Sequence, residues 1–295
     1  MASDNLIDGR AIAEQIHSET AQRIASLKAR GVEPCLVFVR VGEDPASQVY
    51  VGMKEKTSKR LGIRSETHVL PEKTSQQELL ALVQRLNRDS SVHGILVQAP
   101  IPRQIDSNAV YSAVLPEKDV DGFHPVNVGK LLLGDTGGFV PCTPAGVHEL
   151  LIRGNVRIEG ANVVVLGRGN IVGKPMAALL MQKAPHANAT VTVCHSQTQN
   201  TQDHCQRADI IVAAMGVARF VRADMVKPGA AVMDVGVNRV PDPGSKTGTK
   251  LVGDVDFENV RQIAGQITPN PGGVGPMTIA MLMRNTVRAA EDLTK

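Results

Sequence analysis

The chain has 295 residues, of which 42 % are hydrophobic and only 2 % aromatic, and its formal net charge is +3. This length allows two domains of ordinary size, whose cores must rest on aliphatic side chains and Met. So small a charge, with no basic block, argues against nucleic acid as a partner. No apolar run approaches the ~20 residues that a membrane-spanning helix needs, so we expect no membrane association.

The cysteines are scattered along the chain and form no C-x-x-C pair: Cys35, Cys142, Cys194 and Cys205. This arrangement favours a reducing compartment and argues against a disulfide framework or a zinc site. The amino-terminal segment MASDNLIDGR carries charges where a signal peptide would have its apolar core. We therefore expect a cytoplasmic protein without a bound metal.

The first hundred residues alternate between patterns typical of helices and of strands. Apolar residues recur at helical spacing near the start, and a second helix is predicted over Ala46–Leu61, ended by Gly62. Ser75 and Glu78 have the spacing of a capping box ahead of a third helix. Two short apolar runs predict buried strands: Cys35–Val41 and Gly94–Gln98.

A loop-rich stretch, Leu115–Pro144, separates this part from a second alternating series. There a helix is predicted over Val172–Gln182, and a last helix over Pro276–Leu293 with Pro276 at its first position. Four apolar runs predict strands: Ala161–Leu166, Ala189–Cys194, Ile210–Ala214 and Ala231–Val235. The alternation predicts an α/β fold with a mostly parallel sheet.

A glycine-rich turn follows the strand that ends at Leu166, with Gly167, Gly169 and Gly173 in the spacing G-x-G-x-x-x-G. Between a strand and a helix, such a turn brings backbone N–H groups and a helix N-terminus against a pyrophosphate. The spacing is one residue longer than the usual dinucleotide fingerprint, and a tight turn without a ligand is the alternative. The context favours a nucleotide site.

The next predicted strand ends at Cys194, and no acidic residue follows it. An NAD site usually has Asp or Glu there to bind the ribose hydroxyls. Arg168 and Ser196 could instead hold a 2′-phosphate, the arginine by charge and the serine by a hydrogen bond. This favours NADP, with a solvated surface arginine as the alternative for Arg168.

Tyr50 and Lys54 lie four residues apart in a predicted helix and so share one face. The pattern Tyr-x-x-x-Lys also occurs in short-chain dehydrogenases, but there it follows the nucleotide turn, whereas here it precedes it. That family is therefore a poor match. Spacing alone favours an exposed helix face over a catalytic pair.

Three further segments carry candidate ligand groups. Gln98 ends a predicted strand, where α/β folds commonly place ligand contacts, although a neighbouring loop could satisfy its amide. Asp121 lies in an acidic turn, for which ordinary turn chemistry is the alternative. The Gly/Pro loop over Pro271–Pro276 opens the last helix and could bring backbone close to a ligand, or serve only as a helix entry.

Taken together, these segments resemble the bifunctional methylenetetrahydrofolate dehydrogenase/methenyltetrahydrofolate cyclohydrolase family. The resemblance covers nearly the whole chain in the family's order. The matching segments are Val41-Gly42, Ala46-Ser47 with Tyr50-Val51 and Lys54, Gln98 with Pro100 and Pro102, Lys118–Phe123, Pro141–Pro144, Gly167-Arg168 with Ile171–Gly173 and Pro175, Cys194–Ser196, Thr268-Pro269 and Pro271–Thr278.

The resemblance implies a folate-binding catalytic domain over residues 1–120 that the carboxyl-terminal helix, 276–295, rejoins. It also implies a Rossmann-like NADP-binding domain over 121–275, with a cleft between the two. The implied partners are tetrahydrofolate one-carbon derivatives and a second copy of the chain in a homodimer. The implied setting is one-carbon metabolism and purine biosynthesis.

The resemblance also implies roles for individual residues. Lys54 corresponds to the catalytic lysine, Gln98 to the glutamine that supports it, and Asp121 to the carboxylate that binds the pterin. Tyr50 corresponds to the tyrosine that packs on the folate. The Gly/Pro loop implies further substrate contacts: Pro271, Gly272 and Gly273. The implied cofactor contacts are Gly167, Arg168, Gly169, Ile171, Gly173, Ser196, Val237 and Thr278.

Four residues depart from the family's pattern: Gly169, Gln197, Ala99 and Asn270. Gly169 and Gln197 stand where Ser and Lys are common, and they affect the expected affinity for NADP. The other two stand where Leu and Val are common and bear on the fit of the folate.

The implied activity is oxidation of 5,10-methylenetetrahydrofolate followed by hydrolysis of the methenyl product. A partly desolvated Lys54 should have a lowered pKa, fit for general acid/base work on the hydrolytic step. The rival interpretations are a shikimate-type dehydrogenase of a small acid, a non-catalytic nucleotide-binding protein, and a dehydrogenase that lacks the hydrolase.

Overall fold

The computed structural model describes residues 5–245 and 248–295, which fall into two compact units. The three-stranded unit comprises Glu14–Cys142 and Ile279–Lys295. The five-stranded unit comprises the described residues up to Ala13 together with Thr143–Thr278. The domain bounds implied above, 1–120 with 276–295 and 121–275, stay a prediction.

The three-stranded unit is named for a parallel sheet in the order β2-β1-β3. Every residue of its central strand is buried, Arg40 included, which explains why the rest of that strand is apolar. Its elements are α1 (Gly9–Ala29, which begins in the other unit), β1 (Cys35–Val41), α2 (Pro45–Leu61), β2 (Arg64–Leu70), α3 (Gln76–Arg88), β3 (Gly94–Val97), α4 (Ser107–Ala113) and α5 (Pro125–Leu133).

The helix ends in this unit follow the local sequence signals. Asp44 caps α2 by accepting from the Ser47 N–H at 2.7 Å, and Gly62 ends it with φ of 82°. In α3 the Glu78 N–H donates to Ser75 Oγ at 3.3 Å, and the Ser75 N–H donates to the Glu78 carboxylate at 2.7 Å. The predicted capping box is confirmed.

The five-stranded unit contains a parallel sheet in the order β10-β7-β6-β4-β5 and a separate antiparallel hairpin, β8-β9. Its elements are α6 (Cys142–Arg153), β4 (Asn162–Leu166), α7 (Gly173–Leu180), β5 (Thr190–Cys194), α8 (Thr201–Gln206), β6 (Ile210–Ala213), β7 (Ala231–Asp234), β8 (Asn238–Pro241), β9 (Thr249–Val252), α9 (Phe257–Val260), β10 (Gln266–Ile267) and α10 (Val274–Leu293, which ends in the other unit).

The predicted α/β fold with parallel sheets is confirmed, and the predicted strands end within about a residue of the observed ones. Two expectations are wrong. The loop-rich stretch contains α5, whose Pro125 and Gly134 delimit a helix rather than interrupt one. The last helix begins at Val274, so Pro276 is its third residue, still within the first turn where no N–H partner is required.

Among residues 5–245 and 248–295, no helix combines the length and apolar character required to cross a bilayer.

Candidate active site

Lys54 is a buried polar residue of helix α2 in the three-stranded unit. Although spacing alone favoured an exposed helix face, the residue is only 4 % exposed. Its ammonium donates to Gln98 Oε1 at 2.9 Å. Gln98 follows β3 and is anchored there by its own N–H, which donates to the Val39 carbonyl at 2.8 Å. The sheet therefore supplies the group that orients the lysine.

The amide of Gln98 is itself oriented. Its Nε2 donates to the Ala99 carbonyl at 2.7 Å, so that Oε1 is the atom turned toward Lys54. Ser47, one turn before Tyr50 in α2, donates to the same carbonyl through Oγ at 3.2 Å. This contribution of Ser47 was not predicted, because nothing in its spacing distinguishes it from other serines near a helix start.

Tyr50 and Asp121 complete the surroundings of the lysine. The Lys54 ammonium lies 5.1 Å from the centroid of the Tyr50 ring. Burial lowers the pKa of Lys54, and the negative charge of Asp121 acts in the opposite direction. Burial raises the pKa of Asp121, against the charge of Lys54. Burial is the main cause of both pKa shifts, and the charge of each group partly offsets it for the other.

The turn that carries Asp121 is held by a second carboxylate, that of Asp119. It accepts from the N–H groups of Gly122 and Phe123, both at 3.2 Å, and of His124 at 2.7 Å. Asn127 Nδ2 adds a fourth donor at 2.9 Å. Asp119 is buried, whereas Asp121 keeps part of its surface accessible to a ligand.

Two further side chains near Asp121 were not predicted to have a role. The Cys142 thiol donates to the Val120 carbonyl at 3.3 Å, and Asn285 of α10 donates to the same carbonyl at 2.9 Å. They fix the residue immediately before Asp121. No local pattern could have indicated this, because Asn285 comes from the far end of the chain.

The nucleotide candidates lie at the carboxyl edge of the five-stranded sheet. The predicted turn after β4 is confirmed as the connection to α7, whose first residue is Gly173. A Cβ at Gly167 would overlap the Ala214 carbonyl oxygen beyond β6, and a Cβ at Gly173 would overlap the Gly167 carbonyl. Only glycine therefore allows the backbone segments to approach each other this closely at these two positions.

This turn fits a dinucleotide. A Cβ at Gly169 would meet nothing within 4 Å, so the turn is open on that side. The N-cap residue of α7, Val172, makes no side-chain capping hydrogen bond. The Lys174 N–H donates to the Gly169 carbonyl at 3.1 Å and Pro175 has no N–H, so an anion here would meet the positive end of the helix dipole and the N–H groups that precede Lys174. The strand order also reverses at β4, because β5 lies on one side of it and β6 on the other. Ligands of open α/β sheets bind at such a point.

Arg168 and Ser196 occupy corresponding positions on adjacent strand ends. Leu166 of β4 pairs with Cys194 of β5, and each of the two residues lies two positions beyond that pair. Both are exposed. No acidic side chain follows β5, so the ribose-binding carboxylate of an NAD site is absent from its usual position in this described segment.

The remaining predicted site residues also belong to the five-stranded unit. Val237 follows β7 and is 72 % exposed. Thr278 Oγ1 lies 3.0 Å from Thr143 Oγ1. Pro271, Gly272 and Gly273 form the loop that leads into α10, where a Cβ at Gly273 would meet the Pro269 carbonyl oxygen at 2.6 Å. The predicted substrate contacts are thus divided between the units.

A cavity of about 430 Å³ in the five-stranded unit lies away from these groups. Asp209 and Gln266, which line it, stand at the amino ends of β6 and β10, whereas the glycine-rich turn follows the carboxyl end of β4. Among residues 5–245 and 248–295, no group of three or more His, Cys, Asp or Glu side chains is placed to hold a metal ion.

Two family models match the chain. The catalytic domain of tetrahydrofolate dehydrogenase/cyclohydrolase matches residues 7–121, and the NAD(P)-binding domain of the same family matches residues 141–294. The chain belongs to the tetrahydrofolate dehydrogenase/cyclohydrolase family. The resemblance noted on the sequence motifs is confirmed, as is the combination of a catalytic domain with a Rossmann-like nucleotide-binding domain.

Individual members of the family are close in sequence and in structure. The bifunctional protein FolD of Campylobacter concisus is 54 % identical over 286 residues, which cover 97 % of both chains. The bifunctional enzyme FolD of Campylobacter jejuni superposes with a TM-score of 0.92 at 48 % identity, covering 97 % of this chain and 98 % of that one. The Trypanosoma brucei enzyme, crystallised with NADP and an inhibitor, gives 0.92 at 43 % identity, covering 97 % of each chain.

Proposed function

We propose that this protein oxidises 5,10-methylenetetrahydrofolate with NADP+ and hydrolyses the 5,10-methenyltetrahydrofolate product to 10-formyltetrahydrofolate. The observation that carries the proposal is the buried Lys54 amine, held by Gln98 at 2.9 Å beside the charge of Asp121. A lysine with a lowered pKa is suited to general acid/base catalysis at neutral pH.

In the hydrolytic step, water adds to the methenyl carbon and gives up a proton, and the bond from that carbon to one folate nitrogen then breaks. Lys54 takes up the proton from the water and delivers one to the departing nitrogen. Its hydrogen bond to Gln98 keeps the amine pointing in one direction during both transfers. As the formyl C=O forms, the hydroxyl proton of the intermediate passes to solvent, so the net reaction releases one proton.

Asp121 and Tyr50 bind the substrate. The Asp121 carboxylate accepts hydrogen bonds from the amino and ring N–H groups of the pterin, and the Tyr50 ring packs on the folate. The backbone of Pro271, Gly272 and Gly273 lines the substrate. Because Asp119 holds the Asp121 turn through four N–H donors, the carboxylate meets the pterin without reorganisation.

Bound NADP+ supplies the hydride acceptor for the methylene carbon. The turn residues Gly167, Gly169, Ile171 and Gly173 hold the pyrophosphate, and Val237 and Thr278 add further contacts. Arg168 and Ser196 bind the 2′-phosphate, which accounts for the absence of an acidic residue after β5. Hydride loss needs no protein base, so the work of the chain in this step is to hold the two reacting carbons close together.

We further propose that the protein acts in the cytoplasm as a homodimer. All four cysteines are free and buried, which suits a reducing compartment. Sedimentation analysis of the purified protein tests the dimer, and a single species with the mass of one chain would contradict it.

The function is tested by incubating the protein with 5,10-methylenetetrahydrofolate and either NADP+ or NAD+. We expect NADPH formation followed by accumulation of 10-formyltetrahydrofolate, and a lower Michaelis constant for NADP+ than for NAD+. A strong preference for NAD+ would overturn the cofactor assignment. Accumulation of the methenyl product would overturn the assignment of the hydrolytic activity. Reduction of NADP+ with shikimate but not with the folate would favour the shikimate-type alternative.

A further inference from the structure

Asp254 is a fully buried carboxylate of the five-stranded unit that the proposed function does not use. It follows β9, and no residue of the glycine-rich turn touches it in the hydrogen-bond pattern of the described residues. Burying a charge is costly unless hydrogen bonds compensate it. The partners of this carboxylate therefore indicate what it stabilises.

One oxygen of Asp254 holds the segment beyond β6. It accepts from the N–H groups of Met215 at 2.6 Å and Gly216 at 2.9 Å. Ala214, the residue just before them, presents the carbonyl that a Cβ at Gly167 would overlap. The carboxylate thus fixes the backbone against which the glycine-rich turn packs.

The other oxygen holds the segment beyond β7. It accepts from Asn238 Nδ2 at 2.8 Å. The intervening Gly236 lies so close to the carboxylate that a Cβ there would overlap it. Val237, whose side chain is exposed, is therefore held between two residues that pack on Asp254.

Two neighbours fix the same segment independently. The carboxylate of Asp234, at the end of β7, accepts from the N–H groups of Gly236 at 3.0 Å and of Asp254 itself at 2.9 Å. Asn270 Nδ2 donates to the Gly236 carbonyl at 2.6 Å. The segments that follow β6 and β7 are thus connected through one buried aspartate, with a second aspartate supporting it.

We propose that Asp254 is a positioning residue for the dinucleotide, acting through the Met215–Gly216 and Gly236–Asn238 segments at the carboxyl edge of the sheet. The inference rests on the proposed use of NADP. Asp254 does not touch the nucleotide. The sheet already pairs the two strand ends, at Ala213 and Asp234. Asp254 instead holds the two segments that follow them at the binding edge, and its loss lets those segments move.

The test compares Asp254→Ala, Asp254→Asn and wild type by calorimetric titration with NADP+ and by both enzymatic rates. In Asp254→Ala we expect the dissociation constant and the Michaelis constant for NADP+ to rise roughly tenfold, with a smaller change in kcat. Hydrolysis of 5,10-methenyltetrahydrofolate, assayed without nucleotide, is expected to stay within about twofold of wild type, because the Lys54 group lies in the other unit.

The conservative variant shows whether the hydrogen bonds of Asp254 suffice or its charge is needed. An asparagine oxygen accepts from the same two N–H groups, and its amide can donate to a flipped Asn238 side chain. Asp254→Asn is therefore expected to bind NADP+ within about threefold of wild type. The matched control is Asp209→Ala, which removes an aspartate bound to the Asn162 N–H at 2.9 Å at the opposite edge of the same sheet. It is expected to leave NADP+ affinity unchanged.

Unchanged NADP+ affinity in folded Asp254→Ala would overturn the inference, as would equal loss of hydrolysis and nucleotide binding, which indicates a purely structural role. If Asp254→Ala does not fold, Asn238→Ala tests the inference instead. It removes only the hydrogen bond from Asn238 Nδ2 to Asp254, at a partly exposed position. A rise of a few fold in its dissociation constant supports the inference, and no rise overturns it. Absence of NADP+ binding by wild type, in contrast, is a failure of the proposed function.

Discussion

The Lys54 group, formed by Lys54, Gln98 and Asp121, and the glycine-rich turn are built in different ways. The turn is one contiguous segment, and its geometry depends on atoms that are missing, since a Cβ at Gly167 or Gly173 would overlap neighbouring carbonyls. The lysine group is assembled from side chains on separate segments, with Lys54 and Gln98 standing 44 residues apart. A backbone-built site fails when atoms are added, whereas a side-chain-built site fails when hydrogen-bond partners are removed.

The largest effect is expected from adding an atom to the turn. Gly167 has φ of 112°, and its Cβ would overlap the Ala214 carbonyl, so Gly167→Ala must displace one strand end. We expect NADP+ affinity, measured by titration, to fall by roughly tenfold to a hundredfold. Hydrolysis of methenyltetrahydrofolate is expected to persist.

Gly160→Ala is the matched control for this change. Gly160 also has positive φ, 73°, but its Cβ would meet nothing within 4 Å. It shares the backbone strain without the close approach, so its nucleotide affinity is expected to match wild type. Equal losses in the two variants would show that strain alone, and not the packing of the turn, explains the effect.

A smaller effect is expected from removing one partner of the lysine. Gln98→Leu deletes the acceptor at 2.9 Å from Lys54 Nζ, so the amine loses its orientation. We expect the hydrolytic rate to fall roughly tenfold at unchanged NADP+ affinity. The control is Gln104→Leu, which removes a glutamine of the same unit that donates to the Glu72 carbonyl at 2.7 Å. A wild-type hydrolytic rate in Gln98→Leu would show that Gln98 does not orient the lysine.

The smallest effect concerns stability and the turn that carries Asp121. Burial raises the pKa of Asp119 to about 7. A carboxyl whose pKa is higher in the folded state contributes stability at low pH that is lost as pH rises through the folded value. Wild type should therefore lose stability between about pH 4 and pH 7, relative to an Asp119→Asn protein that lacks this titration.

The comparison of the two proteins is necessary because buried histidines act in the opposite sense. Burial lowers the pKa values of His17 and His93, so their contribution to stability grows as pH rises. Both proteins share it, and it cancels in the difference of their unfolding free energies, measured with urea. A difference that is flat across this window would contradict the assignment to Asp119.

The sequence predicts structure well where the information is local. The strands, the capping box at Ser75 and the glycine-rich turn each depend on residues within one segment, and the structure confirms them. The sequence predicts poorly whether a given side chain is buried or exposed. Spacing alone favours an exposed face for Lys54, because the groups that surround it come from Gln98, just after β3, and from the Asp121 turn.

The same limit explains the residues that were not predicted. Asn285 and Asp254 act on backbone groups far away along the chain, so no spacing rule points to them. The sequence does not predict α5, for a different reason. Its delimiting Pro125 and Gly134 are also the residues of loops, and only the cap geometry distinguishes the two cases.

The rate at which Lys54→Met converts 5,10-methenyltetrahydrofolate to 10-formyltetrahydrofolate, above the uncatalysed rate, tests the central role of the buried amine most directly. We expect a fall of roughly a hundredfold or more with NADP+ affinity retained, and a wild-type rate in Lys56→Met, which alters an exposed lysine of the same helix. Hydrolysis at the wild-type rate by folded Lys54→Met would contradict it.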